Sequence, residues 1–110
     1  MKKKGSQGVE IARGTGDGMY VSFPGEPLRS GDEIRFAVRP DADGEKLLEK
    51  TVTDFTADGK AFIGFSEEDT LSLAADEYVY GVQVIRSGAE PVDVIREAPF
   101  VVKESVARNE

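Results

Sequence analysis

Apolar and polar residues alternate through much of this chain. From Asp32 to Arg39, Ile34, Phe36 and Val38 point one way while Glu33, Arg35 and Arg39 point the other. That period of two is what a half-buried strand requires. Ala61, Ile63 and Phe65 repeat it, and so do Tyr78, Tyr80, Val82 and Val84 within Glu77–Arg86. Ile34, Phe36, Val38, Ile63, Phe65, Tyr80, Val82 and Val84 are therefore the predicted core. Shorter runs predict further strands at Val9–Arg13, with Val9 and Ile11 on one face, and at Met19–Phe23, with Met19, Val21 and Phe23 aligned. Leu47–Phe55 alternates less cleanly, and its inward face stays open. Val92–Ile95 and Phe100–Lys103 close the chain as two strands, separated at Ala98-Pro99 by an expected bulge or edge position, because proline cannot donate to a ladder.

Turn residues separate these runs. Gly14-Thr15-Gly16-Asp17-Gly18, Pro24-Gly25, Pro40-Asp41-Ala42-Asp43-Gly44, Ala57-Asp58-Gly59 and Ser87-Gly88 each carry glycine, aspartate or proline, which turns favour. One segment differs. Ser66-Glu67-Glu68-Asp69 has the [ST]-x-x-[DE] spacing of a capping box, with acids where a helix N-terminus favours them. It predicts a single short helix over Glu67–Ala74. Six to eight strands at about 10-residue spacing, with one helical turn, predict an all-β fold, an immunoglobulin-like antiparallel β-sandwich. A βαβ fold would need helices between the strands.

At 110 residues the chain has the length of one domain. The expected division is a flexible tail over 1–7, a sandwich over 8–104 and a second tail over 105–110. The 14 basic and 21 acidic residues give a net charge of −7, and Lys2, Lys3 and Lys4 supply three of the basic ones. Such a surface repels phosphate backbones and anionic bilayers, so neither nucleic acid nor membrane is an expected partner. No apolar run approaches the roughly 20 residues of a membrane span. The basic start is followed by Gly5-Ser6-Gln7-Gly8, which is not a secretory signal. The expected location is cytoplasmic on synthesis.

Cysteine, histidine and tryptophan are absent. Disulfides, thiolate nucleophiles and Ser-His or Cys-His pairs are excluded, and the commonest transition-metal ligands are missing. Asp41-Ala42-Asp43-Gly44-Glu45 invites a calcium reading, but the twelfth position of an EF-hand loop falls on Val52 or Lys50, depending on the start, and never on glutamate. A hairpin turn with solvated carboxylates is the reading preferred, and a weaker, non-EF surface site shared with another acidic loop is the alternative. Gly14–Gly18 leads into a strand and not a helix, so it is no phosphate-binding loop. Glu67, Glu68, Asp69, Asp76 and Glu77 are accounted for by capping and solubility, and no pair of them suggests glycosidase chemistry. No catalytic residues, cofactor or metal is expected. Tyr78, at the start of a long strand after a helical turn, sits where sandwich folds place a tyrosine corner, whose hydroxyl bonds the backbone a few residues upstream.

The run Phe65 to Thr70, then Leu73, then Tyr78-Val79-Tyr80-Gly81-Val82-Gln83-Val84, then Pro91 to Val94, then Phe100-Val101-Val102 with Val106-Ala107-Arg108 resembles a group of small phage and prophage proteins. These are immunoglobulin-like sandwich modules of the tail, baseplate or head surface. The resemblance spans about residues 32–108 and departs at Gly81, where the pattern carries an acidic residue, and at Ala75-Asp76, where it carries a glycine turn. It implies a non-enzymatic, virion-associated assembly role, with protein partners or self-association. A surface adhesion module that binds carbohydrate or protein is the alternative. Tyr20 and Val101 lie in strands with apolar residues on successive positions, so each is expected to face outward near a sheet edge, either as an ordinary isolated surface apolar or as a contributor to self-association or docking.

Overall fold

A computed structural model describes residues 2–4, by their backbone, and residues 7–105. The strands are β1 (Lys2–Lys4), β2 (Gly8–Ala12), β3 (Asp17–Val21), β4 (Glu33–Arg39), β5 (Leu48–Val52), β6 (Ala61–Phe65), β7 (Asp76–Ile85) and β8 (Val92–Lys103). One helix, α1 (Glu67–Leu71), joins β6 to β7. Six strands form a large sheet in the order β1-β2-β8-β7-β4-β5, and β3 and β6 form a second, two-stranded sheet. The two pack as a β-sandwich.

The core lies between the sheets. All eight residues predicted for it are buried. Phe36 sits at its centre, with ring centroids 5.2 Å from Phe65, 5.6 Å from Tyr80 and 6.1 Å from Phe100. Phe65 belongs to the small sheet and the other three rings to the large one, so this cluster joins the layers. Burying each such side chain contributes about 1.5–3 kcal/mol.

The large sheet is mixed, not purely antiparallel. β2 runs parallel to β8, pairing Val9 with Phe100 and Val102 with Ile11. One further expectation is corrected at its margin. Lys2–Lys4 is not a tail; its backbone pairs with Gly8–Glu10 as a three-residue strand, which covers the edge that β2 would otherwise present. Of the C-terminal tail expected over 105–110, all but Ser105 lies outside the described residues.

β8 is one continuous strand. The expected break at Ala98-Pro99 does not occur: Ala98 and Pro99 pair with Tyr80 and Val79. Of the two expected reasons for a proline, the edge position holds: Pro99 lies one residue before the ladder to β2 begins, where the strand has a neighbour on one side only. The irregularity lies earlier, where the register shifts between the Tyr80 and Val82 pairs. A Cβ on Gly81 would stand 3.2 Å from the carbonyl oxygens of both Ile95 and Arg96. Glycine lets the bulged backbone approach closely there.

α1 carries the expected capping box. Ser66 Oγ accepts from the Asp69 N–H (3.1 Å), and the Asp69 carboxylate accepts from the Ser66 N–H (2.9 Å). The helix stops at Leu71, short of Ala74, and the guanidinium of Arg13 donates to the Leu71 and Leu73 carbonyls. Thr70, buried on the helix, accepts from the Gly14 N–H (2.9 Å). The Gly14–Gly18 turn is thus tied to the helix. The Tyr78 hydroxyl donates to the Ala74 carbonyl at 2.6 Å, as its place at the strand start predicts.

Candidate functional site

Tyr20 and Phe62 are register partners across β3 and β6. Met19, Val21, Ile63 and Phe65 occupy the inner face of these strands, so alternation sends Tyr20 and Phe62 outward. They are 64% and 46% exposed, with ring centroids 4.9 Å apart. Gly18 and Gly64, the next pair on that face, make room for the phenyl ring. A Cβ on Gly18 would stand 2.3 Å from Phe62 Cζ, and one on Gly64 3.1 Å from its Cε2. The ring therefore lies over the two glycines, and the outward residues of the small sheet are two aromatics and two glycines with no charge among them. Among the described residues no other strand pairs with either edge of this sheet.

Val101 is not part of this surface. It is 5% exposed, although its side chain lies on the opposite face of β8 from Phe100 and Val102, which join the core. β8 is an interior strand at this point, with Glu10 of β2 and Glu77 of β7 as its register neighbours. The expectation of an edge position failed because the parallel partner β2 could not be read locally. Phe62 was missed, yet the signal was present: if Ala61, Ile63 and Phe65 face inward, Phe62 must face out.

The polar clusters hold the fold together. Asp32, 4% exposed, accepts from the Arg29 N–H (3.1 Å), the Ser87 N–H (3.0 Å) and Arg86 (2.9 Å). The Ser87 N–H first, with Arg29 and Arg86 behind it, holds this carboxyl below the usual aspartate range. Arg86 also donates to the Glu26 and Pro27 carbonyls and lies 5.0 Å over the Phe23 ring. This clamp fixes the segment that crosses from β3 to β4. In the β4–β5 loop, Asp41 accepts from the Asp43 N–H, an Asx turn, and its carbonyl accepts from the Gly44 N–H. Among the described residues no group of three or more acidic side chains is arranged to hold a metal ion.

No protein-family model matches the chain, and no curated protein is significantly similar to it. No helix among the described residues is long and apolar enough to cross a membrane.

Proposed function

We propose that this chain is a non-enzymatic binding and assembly module on an immunoglobulin-like sandwich, of the kind associated with phage and prophage virions. The immunoglobulin-like reading draws on strand order. β8-β7-β4-β5 has the arrangement of the G, F, C and C′ strands of a variable-type domain, opposite β3 and β6 in the places of B and E. The Tyr78 hydroxyl on the Ala74 carbonyl supports it as a tyrosine corner.

The exposed Tyr20–Phe62 pair carries the assembly reading. Large rigid aromatics contribute contact area at little entropic cost and dominate protein interfaces. This pair sits on a strand face without charge in a molecule of net charge −7, so two copies can meet there without opposing like charges directly. Self-association through this face is tested by sedimentation of the parent and of the Tyr20→Ser/Phe62→Ser variant over a range of concentrations. The expected result is a parent that associates as concentration rises and a variant that stays monomeric. A parent that is monomeric throughout, or a variant that associates equally, would sink it.

A further inference from the structure

The outer face of the large sheet carries a depression of about 540 Å³, within the range of pockets that bury ring-containing ligands. Its floor is Ala37 and Gly81, which face each other across β4 and β7, with Val79 beside them. Around this floor the charges cancel. Arg35 pairs with Glu33, Lys46 lies 2.8 Å from Glu49, and Arg96 lies 3.8 Å from Asp93. Arg39, which donates to the Gly44 carbonyl, and Glu97 complete four charges of each sign. Lys50 belongs to the other side of the sheet. It is the register partner of the core residue Phe36, and its ammonium lies 2.7 Å from Asp69. The hollow therefore has a floor of small side chains and no net charge, in a chain of net −7.

The opposite outer face carries the raised, uncharged Tyr20–Phe62 pair. The two sheets pack core to core, so these outer faces point away from one another. Two copies of a chain of net −7 repel in most orientations. The aromatic pair and the balanced hollow can meet without opposing like charges. A ring that enters the hollow reaches the Ala37–Gly81 floor and the guanidinium groups around it. Ion pairs and hydrogen bonds occupy the edge of a guanidinium and leave its planar face to stack on an aromatic ring. Arg86 already lies 5.0 Å over the Phe23 ring, between this chain's own residues.

From this geometry we propose that the hollow receives the Tyr20–Phe62 pair of a second copy. The proposal rests on the reading of that pair as an interface and names the surface it meets. The contact joins two different patches, so it is heterologous. Each copy that inserts its pair still offers its own hollow to the next, and the assembly grows as an open chain or closes into a ring. Two rings supply only part of the roughly 1,200 Å² that a stable interface buries, so each contact is weak and growth needs high concentration.

The test is sedimentation over a range of concentrations, with thermal melts to check folding. The parent is compared with the pair variant Tyr20→Ser/Phe62→Ser, with the hollow variant Ala37→Gln, which sets a longer side chain beside Gly81, and with an equal mixture of the two variants. The expected result is a parent that grows beyond a dimer as concentration rises, and variants that each associate about tenfold more weakly. In the mixture, the intact aromatic pair of the hollow variant meets the intact hollow of the pair variant, so dimers form and nothing larger. A mixture as monomeric as its components overturns the proposal, and so does a parent that stops at a dimer. A hollow variant that associates as the parent does, beside a pair variant that does not, shows aromatic faces meeting each other; the hollow is then excluded and the interface reading stands. A parent that is monomeric throughout, or a pair variant that associates equally, brings both down. Should Ala37→Gln melt well below the parent, Arg96→Glu, at a position 88% exposed on the wall of the hollow, replaces it in every comparison, with the same expected loss.

Discussion

The two outward faces of this sandwich use glycine in opposite ways. On the small sheet, Gly18 and Gly64 make room that the Phe62 ring fills, and the result is an uncharged aromatic surface. On the large sheet, Gly81 makes room for the backbone of β8, whose Ile95 and Arg96 carbonyl oxygens lie 3.2 Å from where a Cβ would stand, and the result is a depression with arginines around it. The same residue type, at the same kind of outward strand position, builds either a raised surface or a hollow. What decides is the neighbour. Phe62 sits two residues from Gly64 on the same face, whereas Gly81 faces Ala37 and a bulge.

The largest expected effect comes from removing what lies beneath both faces. Phe36→Ala deletes the ring that touches Phe65, Tyr80 and Phe100 and should cost about 3–5 kcal/mol in denaturant titration. A loss below about 1 kcal/mol would mean that the two sheets are not joined there. Next is the crossing segment between the sheets. Asp32→Asn should cost about 1–3 kcal/mol at neutral pH, because a buried three-partner acceptor is replaced by a weaker one. The folded carboxyl titrates below its unfolded value of about 3.9. Its stabilisation is therefore present above about pH 4 and fades as pH falls through the folded value. The gap between parent and variant should narrow in acid; a gap constant from neutral to strongly acidic pH would show that the charge is not what matters.

The two glycine sites make a direct pair. Gly18→Ala places a methyl against Phe62 and 2.8 Å from the Ile63 carbonyl, whereas at Gly81 the nearest atoms stand at 3.2 Å. The first should cost about 2 kcal/mol and the second about 1 kcal/mol in thermal melts. A reversed order would contradict the ranking that these distances give. The smallest effect belongs to the exposed pair itself. Tyr20→Ser with Phe62→Ser should change monomer stability by about 1 kcal/mol or less, since the rings are half exposed and their mutual contact is of that order. A larger loss would mean that these rings hold the small sheet together.

The three clearest strands were legible because alternation is local. Ile34, Phe36 and Val38 announce their face within seven residues, and the capping box and Tyr78 are similarly short-range. What escaped was long-range. That β2 lies along β8 is a pairing of residues about ninety positions apart, and it makes β8 an interior strand at Val101. The bulge at Gly81 depends on how β8 meets β7, and Pro99 misled by naming a plausible place for it. Phe62 was readable but overlooked in favour of its inward neighbours. Arg35 and Arg39 were read as outward; that Arg96 stands across from them required the register of three strands.

The parallel pairing of β2 with β8 also determines how the domain answers a mechanical load. Tension applied through the chain before Gly8 and after Lys103 pulls the two strands along their length in opposite senses. Val9, Glu10, Ile11 and Ala12 and their partners from Phe100 to Lys103 are then strained together, and the ladder must shear as a unit. The β1–β2 pair is antiparallel, so the same tension opens it from Lys2↔Glu10 toward Lys4↔Gly8, one rung at a time. The domain thus combines a short segment that peels under weak force with a clasp that holds until several rungs fail at once. How long it holds is set by its rate of forced unfolding, not by its equilibrium stability.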